Sequence, residues 1–231
     1  MKGFKTRAKN FLLKIKIHKV LPFLNRPSLL LSNTIKLSQW ISDYSNDGNK
    51  KAVGFEHRED HYAYVYHTQV SNENICYLEF GVFQGSSIKW WSGENNNPAS
   101  RFYGFDTFEG LPEKWGSYIK GDFYSNIPQI DDNRIHFIKG LFQDTLHEFI
   151  NGADLNNRLL IHIDADLFSS TVFVLTTLAP YIKKGDVILF DEFNVPNDEF
   201  SAWEIFCRSY YIKYELLSAT KNFFQVGVKI L

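Results

Sequence analysis

The chain is poor in sulfur, with two cysteines and one methionine among 231 residues. Cys76 and Cys207 sit in apolar stretches and form no spaced motif. That argues against a disulfide framework or a cysteine zinc site, and fits a reducing cytoplasm. No uninterrupted apolar run reaches the roughly 20 residues needed to cross a bilayer. The first 42 residues contain no Asp or Glu. They also lack a clear apolar h-region and an Ala-x-Ala site, so they do not read as a signal peptide. A G-x-G-x-x-G turn is missing, because Phe83 stands where its second glycine belongs, and this disfavours NAD or FAD. No two-histidine, one-carboxylate set lies near the candidate strands, which weighs against a non-haem iron oxygenase.

What is present is a folded globular chain, long enough for one large domain and 44% hydrophobic, hence not disordered. Its formal net charge of -1 conceals an asymmetry. Residues 1–42 hold nine basic side chains (Lys2, Lys5, Arg7, Lys9, Lys14, Lys16, Lys19, Arg26 and Lys36), whereas the remainder holds 16 Lys/Arg against 26 Asp/Glu. Phe11, Leu12, Ile15, Val20 and Leu21 are interleaved with those lysines. One reading is peripheral contact of residues 1–42 with an anionic membrane or an acidic partner. The other is a cap helix over the core with solvated lysines. An amphipathic arm also suits a homodimer contact. The acidic body offers nucleic acid no surface.

Residues 1–70 are expected to form a basic helical extension or cap, and 71–231 the main domain. Residues 43–74 are polar, broken at Asp47-Gly48-Asn49, and read as a connector with a helix over 58–70. From Ile75 the pattern alternates. Strands are predicted at 75–80, 101–105, 134–139, 159–163 and 186–190, and helices at 85–91, 145–150, 169–181 and 198–211. Such alternation predicts an α/β, Rossmann-like fold with a seven-stranded, mostly parallel sheet. Two closing strands, 213–217 and 223–230, predict a hairpin and therefore one antiparallel edge strand. The segment 107–132 has scattered aromatics and no period, so it reads as a lid or as disorder.

The first core strand ends in Glu79-Phe80-Gly81-Val82-Phe83-Gln84-Gly85-Ser86-Ser87. Glycines four apart allow a tight turn and close approach to a ligand, with a helix opening at about Ser86. The next strand ends at Asp106, 21 residues after Gly85, a spacing that suits an acid accepting from ribose hydroxyls. Glu79 can face a ligand ammonium. An adenosyl ligand with an amino-acid tail and no phosphate satisfies all three features, and S-adenosylmethionine is that ligand.

Two later strands stop at carboxylates: Ile161-His162-Ile163-Asp164-Ala165-Asp166 and Val187-Ile188-Leu189-Phe190-Asp191-Glu192. One crossover helix between them would make the strands neighbours. Asp164, Asp191 and Glu192 would then converge at the carboxyl edge of the sheet, where they repel unless a divalent cation joins them. His162 points to the other strand face and reads as a hydrogen-bonded core histidine. Tyr62, Tyr64 and Tyr66 read as a lid over the substrate or as a helix face against the core.

Five segments in order resemble the macrocin-type (TylF-like) O-methyltransferases: Tyr77-Leu78-Glu79-Phe80-Gly81, Tyr103-Gly104-Phe105-Asp106-Thr107-Phe108-Glu109-Gly110-Leu111-Pro112, Gly140-Leu141-Phe142-Gln143-Asp144-Thr145-Leu146, Ile163-Asp164-Ala165-Asp166-Leu167-Phe168-Ser169-Ser170-Thr171 and Phe190-Asp191-Glu192-Phe193. The resemblance covers about half the chain. It implies a class I methyltransferase fold and magnesium-dependent methyl transfer from S-adenosylmethionine to a hydroxyl of a sugar or glycosylated small molecule. By residue it implies cofactor contacts from Glu79, Gly81, Gly85, Ser86, Ser87, Asp106, Gln143, Asp144 and Asp164. It further implies metal binding by Asp164, Asp191 and Glu192, and Asp166 as general base. One departure is Glu192, where the family often has a second Asp. Asp166 also has a plainer reading as a helix cap. Competing functions are a metal-dependent hydroxylase or hydrolase on a related scaffold, and a tethering protein with an inactive fold.

Overall fold

A strand buried on both faces reads as an unbroken apolar run, and three such runs form the centre of one sheet. In the computed structural model, which describes residues 2–46 and 52–231, the sheet has eight strands. They are β1 (Val53–Phe55), β2 (Ile75–Phe80), β3 (Arg101–Asp106), β4 (Ile135–Lys139), β5 (Arg158–Ile163), β6 (Val187–Phe190), β7 (Tyr214–Thr220) and β8 (Val226–Ile230). Their order is β1-β7-β8-β6-β5-β2-β3-β4. The α/β class and the mostly parallel sheet are as expected. The eighth strand is β1, which pairs parallel with β7 from within the segment read as a connector. Three residues are too few to show an alternation. The Asp47-Gly48-Asn49 break lies outside the described residues.

The closing hairpin forms, but its second strand inserts between β7 and β6 and runs antiparallel to both. The antiparallel strand is therefore internal and not at the edge. Its burial explains the position: Val226, Gly227 and Val228 are covered on both sides, as only a central strand can be.

Successive residues of each strand serve opposite layers. Cys76, Leu78 and Phe80 join one core with α6 (Phe142–Gly152), α7 (Phe168–Leu178), α8 (Glu199–Tyr210) and the last turns of α3 (Asn25–Asn46). Ile75 and Tyr77 join a second core with α4 (Arg58–Val65) and α5 (Ser86–Glu94). Tyr62 is buried in that second core, so the tyrosine-rich helix is a face against the sheet. Before α3 come α1 (Lys2–Lys14) and α2 (Ile17–Val20), which stay almost wholly exposed. Docking begins at Asn33 in the first half of α3, which is buried and donates from Nδ2 to Asn197 Oδ1 at 3.0 Å, and continues to Trp40, whose Nε1 donates to the Tyr214 hydroxyl at 2.7 Å.

Register places the functional edge. Phe80 pairs with Ile163, and Ile163 with Phe190. The backbone ladder then runs one residue further: Asp164 N donates to Phe80 O at 2.9 Å and Asp191 N to Ile163 O at 3.0 Å. Gly81, Asp164 and Asp191 thus stand side by side. Gly81 sits at φ 97°, and a β-carbon there would lie 1.8 Å from the Asp164 carbonyl oxygen. Gly81→Ala is expected to cost more than about 2 kcal/mol and to lower the melting temperature sharply. Gly93→Ala, in α5 with open space around it, should be neutral or stabilising by about 0.5–1 kcal/mol. Equal melting curves for the two variants would contradict this assignment.

Candidate functional site

A cavity of about 420 Å³ opens at the carboxyl edge, a size typical of small-molecule sites. Its wall includes Gly81, Asp106, Gln143, Asp164, Asp166 and Glu192 from the sequence-predicted set. Glu79, Gly85, Ser86, Ser87, Asp144 and Asp191 are not among its lining residues.

Asp106 ends β3 and is committed to the backbone. Its Oδ2 accepts from Val82 N at 2.8 Å and Phe83 N at 2.9 Å, and its Oδ1 from Phe108 N at 2.8 Å. A carboxylate offers about four lone-pair sites, so about one remains for a ligand hydroxyl. The expectation of two ribose contacts is reduced accordingly. Gly85, at φ 77°, is crowded by Pro128 at 2.8 Å from the β-carbon position. Both turn glycines are thus required by chain meeting chain. Ser87 is buried, with its hydroxyl 3.5 Å from that of Tyr62. Asp144 sits exposed in the first turn of α6.

Glu79 is 1% exposed and faces the protein interior. Tyr77 donates its hydroxyl proton to Glu79 Oε2. With that proton used, the Tyr77 oxygen accepts from His162 Nδ1 at 2.8 Å. His162 Nε2 lies 3.2 Å from the Tyr62 hydroxyl, which is 3.5 Å from Asp191 Oδ1. Arg58 completes the chain, donating from Nη1 to Asp191 Oδ2 at 3.1 Å. Burial pushes the Glu79 carboxyl up to about 8. Burial also raises Asp191, but the neighbouring His162 and Arg58 outweigh it and hold that carboxyl below its ordinary value.

This pairing changes the expected metal set by one member. Asp164, Asp166 and Glu192 bring carboxylate oxygens within 4.8 Å of one another. Asp191 is turned instead to Arg58, a cation supplied by α4. Glu192 Oε2 is buried with no hydrogen-bond partner among the described residues. Burial, and then the Asp191 charge, lift Asp164 well above its ordinary value, Asp166 to about 7 and Glu192 to about 8. An orphaned carboxylate oxygen beside two acids that hold their protons tightly is a donor set suited to a hard divalent cation.

Asp166 does not cap α7. That helix has no side-chain cap, and Phe168 N donates to Asp198 Oδ1 at 3.4 Å. Asp166 itself sits at φ 58°, a left-handed conformation that Asp tolerates better than most residues.

Several contributors were missed in the sequence. Trp115, Tyr118 and Phe123 wall the cavity, with Trp115 and Tyr118 stacked at 5.6 Å and Tyr118 at 4.7 Å from Phe123. They belong to the 107–132 segment, whose aromatics were its only signal. Trp115 Nε1 donates to Asp198 Oδ2 at 3.3 Å. Phe224 reaches the cavity from the closing hairpin. Glu199, fully buried, accepts from Glu192 N at 3.0 Å, and its other oxygen has no partner among the described residues.

Comparison with known proteins places this geometry in context. A Streptomyces olivaceus protein named as an 8-demethyl-8-(2,3-dimethoxy-alpha-L-rhamnosyl)-tetracenomycin-C 4'-O-methyltransferase is 24% identical over 141 residues, 51% of this chain. The chain spans about half (52%) of the length of that curated relative. Among solved structures, the calicheamicin methyltransferase CalS11 superposes with a TM-score of 0.54 at 21% identity, over 74% of this chain and 76% of its own. The O-methyltransferase NovP gives 0.52 at 19% identity, over 68% and 71%. At these identities the likeness is one of fold. The family model for the methyltransferase domain matches residues 78–193. That span runs from β2 to just past Glu192, which takes in both the Gly81 turn and the acidic strand ends, and the chain belongs to the methyltransferase-domain family.

Proposed function

We propose that the protein is a magnesium-dependent O-methyltransferase of the macrocin type, acting on a hydroxyl of a sugar or glycosylated small molecule. The observation that carries this reading is the cluster of Asp164, Asp166 and Glu192 in the wall of the cavity that Gly81, Asp106 and Gln143 also line. The sugar hydroxyl is suggested by the tetracenomycin relative, whose name places its methyl group on a rhamnosyl-bearing compound. When bound, S-adenosylmethionine supplies the electrophilic methyl group and magnesium supplies Lewis acidity toward an acceptor oxygen.

The chain's own residues do the rest. Gly81 and Asp106 form the cofactor side, with the Gln143 amide available to an adenine edge. Asp164 and Glu192 would hold the metal, and the Arg58 pair holds the Asp191 carboxyl below its ordinary value beside them. Glu79 acts behind the cavity, through Tyr77 and His162. Asp166 takes the acceptor hydroxyl proton. A carboxylate lining the cavity beside the proposed metal ligands is placed to accept that proton. The Trp115–Tyr118–Phe123 wall offers flat apolar faces to a sugar ring and excludes water.

The direct test is transfer of labelled methyl from S-adenosylmethionine to rhamnosylated acceptors. EDTA should abolish transfer and magnesium restore it, and Asp166→Asn should lower the rate by about 10²–10⁴-fold while S-adenosylhomocysteine binding persists. Full activity in EDTA would remove the metal from this reading.

A second test needs no substrate. Asp166 and Glu192 carry folded-state values of about 7 and about 8, above their ordinary range. The folded state therefore binds these protons more tightly than the unfolded chain does, and stability falls as pH rises through that window. Melting curves in EDTA should drop by several degrees between pH 6 and 9, with magnesium reversing the drop at the alkaline end. A melting temperature that ignores both pH and magnesium would contradict it.

A further inference from the structure

The N-terminal arm carries a long run of exposed apolar side chains. From Phe4 to Ser32 every side chain is exposed except half-buried Ile17. Among these, Phe4, Phe11, Phe23 and Leu31 are 79%, 61%, 67% and 62% exposed. On α1, Phe4, Ala8, Phe11 and Leu12 recur at helical spacing and form one apolar stripe, with Lys5, Arg7, Lys9 and Lys14 flanking it. No acid interrupts residues 1–42. Among the described residues no helix is long and apolar enough to cross a membrane.

We infer that residues 4–31 dock on an anionic phospholipid bilayer, lying in its interface. The charge pattern selects this occupant. An apolar stripe flanked by lysines buries its rings at the headgroup boundary while the ammonium groups reach lipid phosphates. A symmetric dimer of this segment would set seven Lys/Arg against seven, which the bilayer avoids. The hold on the body is separate. Asn33 Nδ2 donates to Asn197 Oδ1 at 3.0 Å and Lys36 pairs with Glu204 at 2.7 Å. Asn197 adjoins Asp198, the partner of cavity residue Trp115, so the arm leaves the body beside the cavity wall.

The test is sedimentation of the full chain with sucrose-loaded vesicles, either pure phosphatidylcholine or phosphatidylcholine with one quarter phosphatidylglycerol. Binding is expected only to the anionic vesicles and is expected to weaken with salt. Lys5→Gln, Lys9→Gln and Lys14→Gln together should lower the partition coefficient by about a hundredfold, at about fivefold per lysine. Phe4→Ser with Phe11→Ser should also release the protein. These side chains are exposed, so circular dichroism and S-adenosylhomocysteine binding should stay unchanged in both variants. Equal recovery with neutral and anionic vesicles would overturn the inference. So would absence of vesicle binding by a chain that light scattering shows to be an arm-dependent dimer.

Discussion

Like charges held together in a poorly hydrated patch repel, and this constraint governs the carboxyl edge of the sheet. Five acids crowd it, and the structure settles them in different ways. Asp191 receives Arg58 from α4. Glu199 is fully buried, with its carboxyl raised well above the ordinary range by burial and then by Glu192 and Asp191. Its Oε2 accepts from the Glu192 amide at 3.0 Å. Asp164, Asp166 and Glu192 are left facing the cavity with no such internal answer. With Asp191 paired to Arg58 and Glu199 bonded to a backbone amide, the three remaining carboxyls are placed to share an external cation.

The same edge is tied to the interior by a polar chain from Glu79 through Tyr77, His162 and Tyr62 to Asp191 and Arg58. It spans β2, β5, β6 and α4. Every member except Arg58 is buried, so loss of any one leaves a buried polar group unpaired, the costly outcome for such networks. The helix that carries Arg58 therefore belongs to the site as much as the strands do.

Much of this edge was legible in sequence. An apolar run ending in acid marks both the strand and its functional end, so the neighbouring positions of Asp164 and Asp191 followed from one crossover helix. The hairpin of β7 and β8 was legible because it is local. Its insertion beside β6 was not, since strand order depends on which strand can be buried on both faces. The Arg58–Asp191 pair joins residues with no sequence relation, and it redirected one carboxylate away from the expected metal set. The tight turn read at Gly81 and Gly85 is present, and their positions also admit neighbouring protein, with Asp164 and Pro128 the atoms that a β-carbon would meet. Asp106 and Glu79 were recognised as strand-end acids, but only their hydrogen bonds show how much of each carboxylate the fold has already taken.

The central claim is that the open acids form one divalent-cation site. Calorimetric titration of magnesium into the full chain, with S-adenosylhomocysteine present, addresses it without requiring an acceptor. One magnesium per chain is predicted, with binding lost in Asp164→Asn and in Glu192→Gln while S-adenosylhomocysteine still binds both variants. No magnesium binding by the unaltered chain, or unchanged affinity in both variants, would contradict the account.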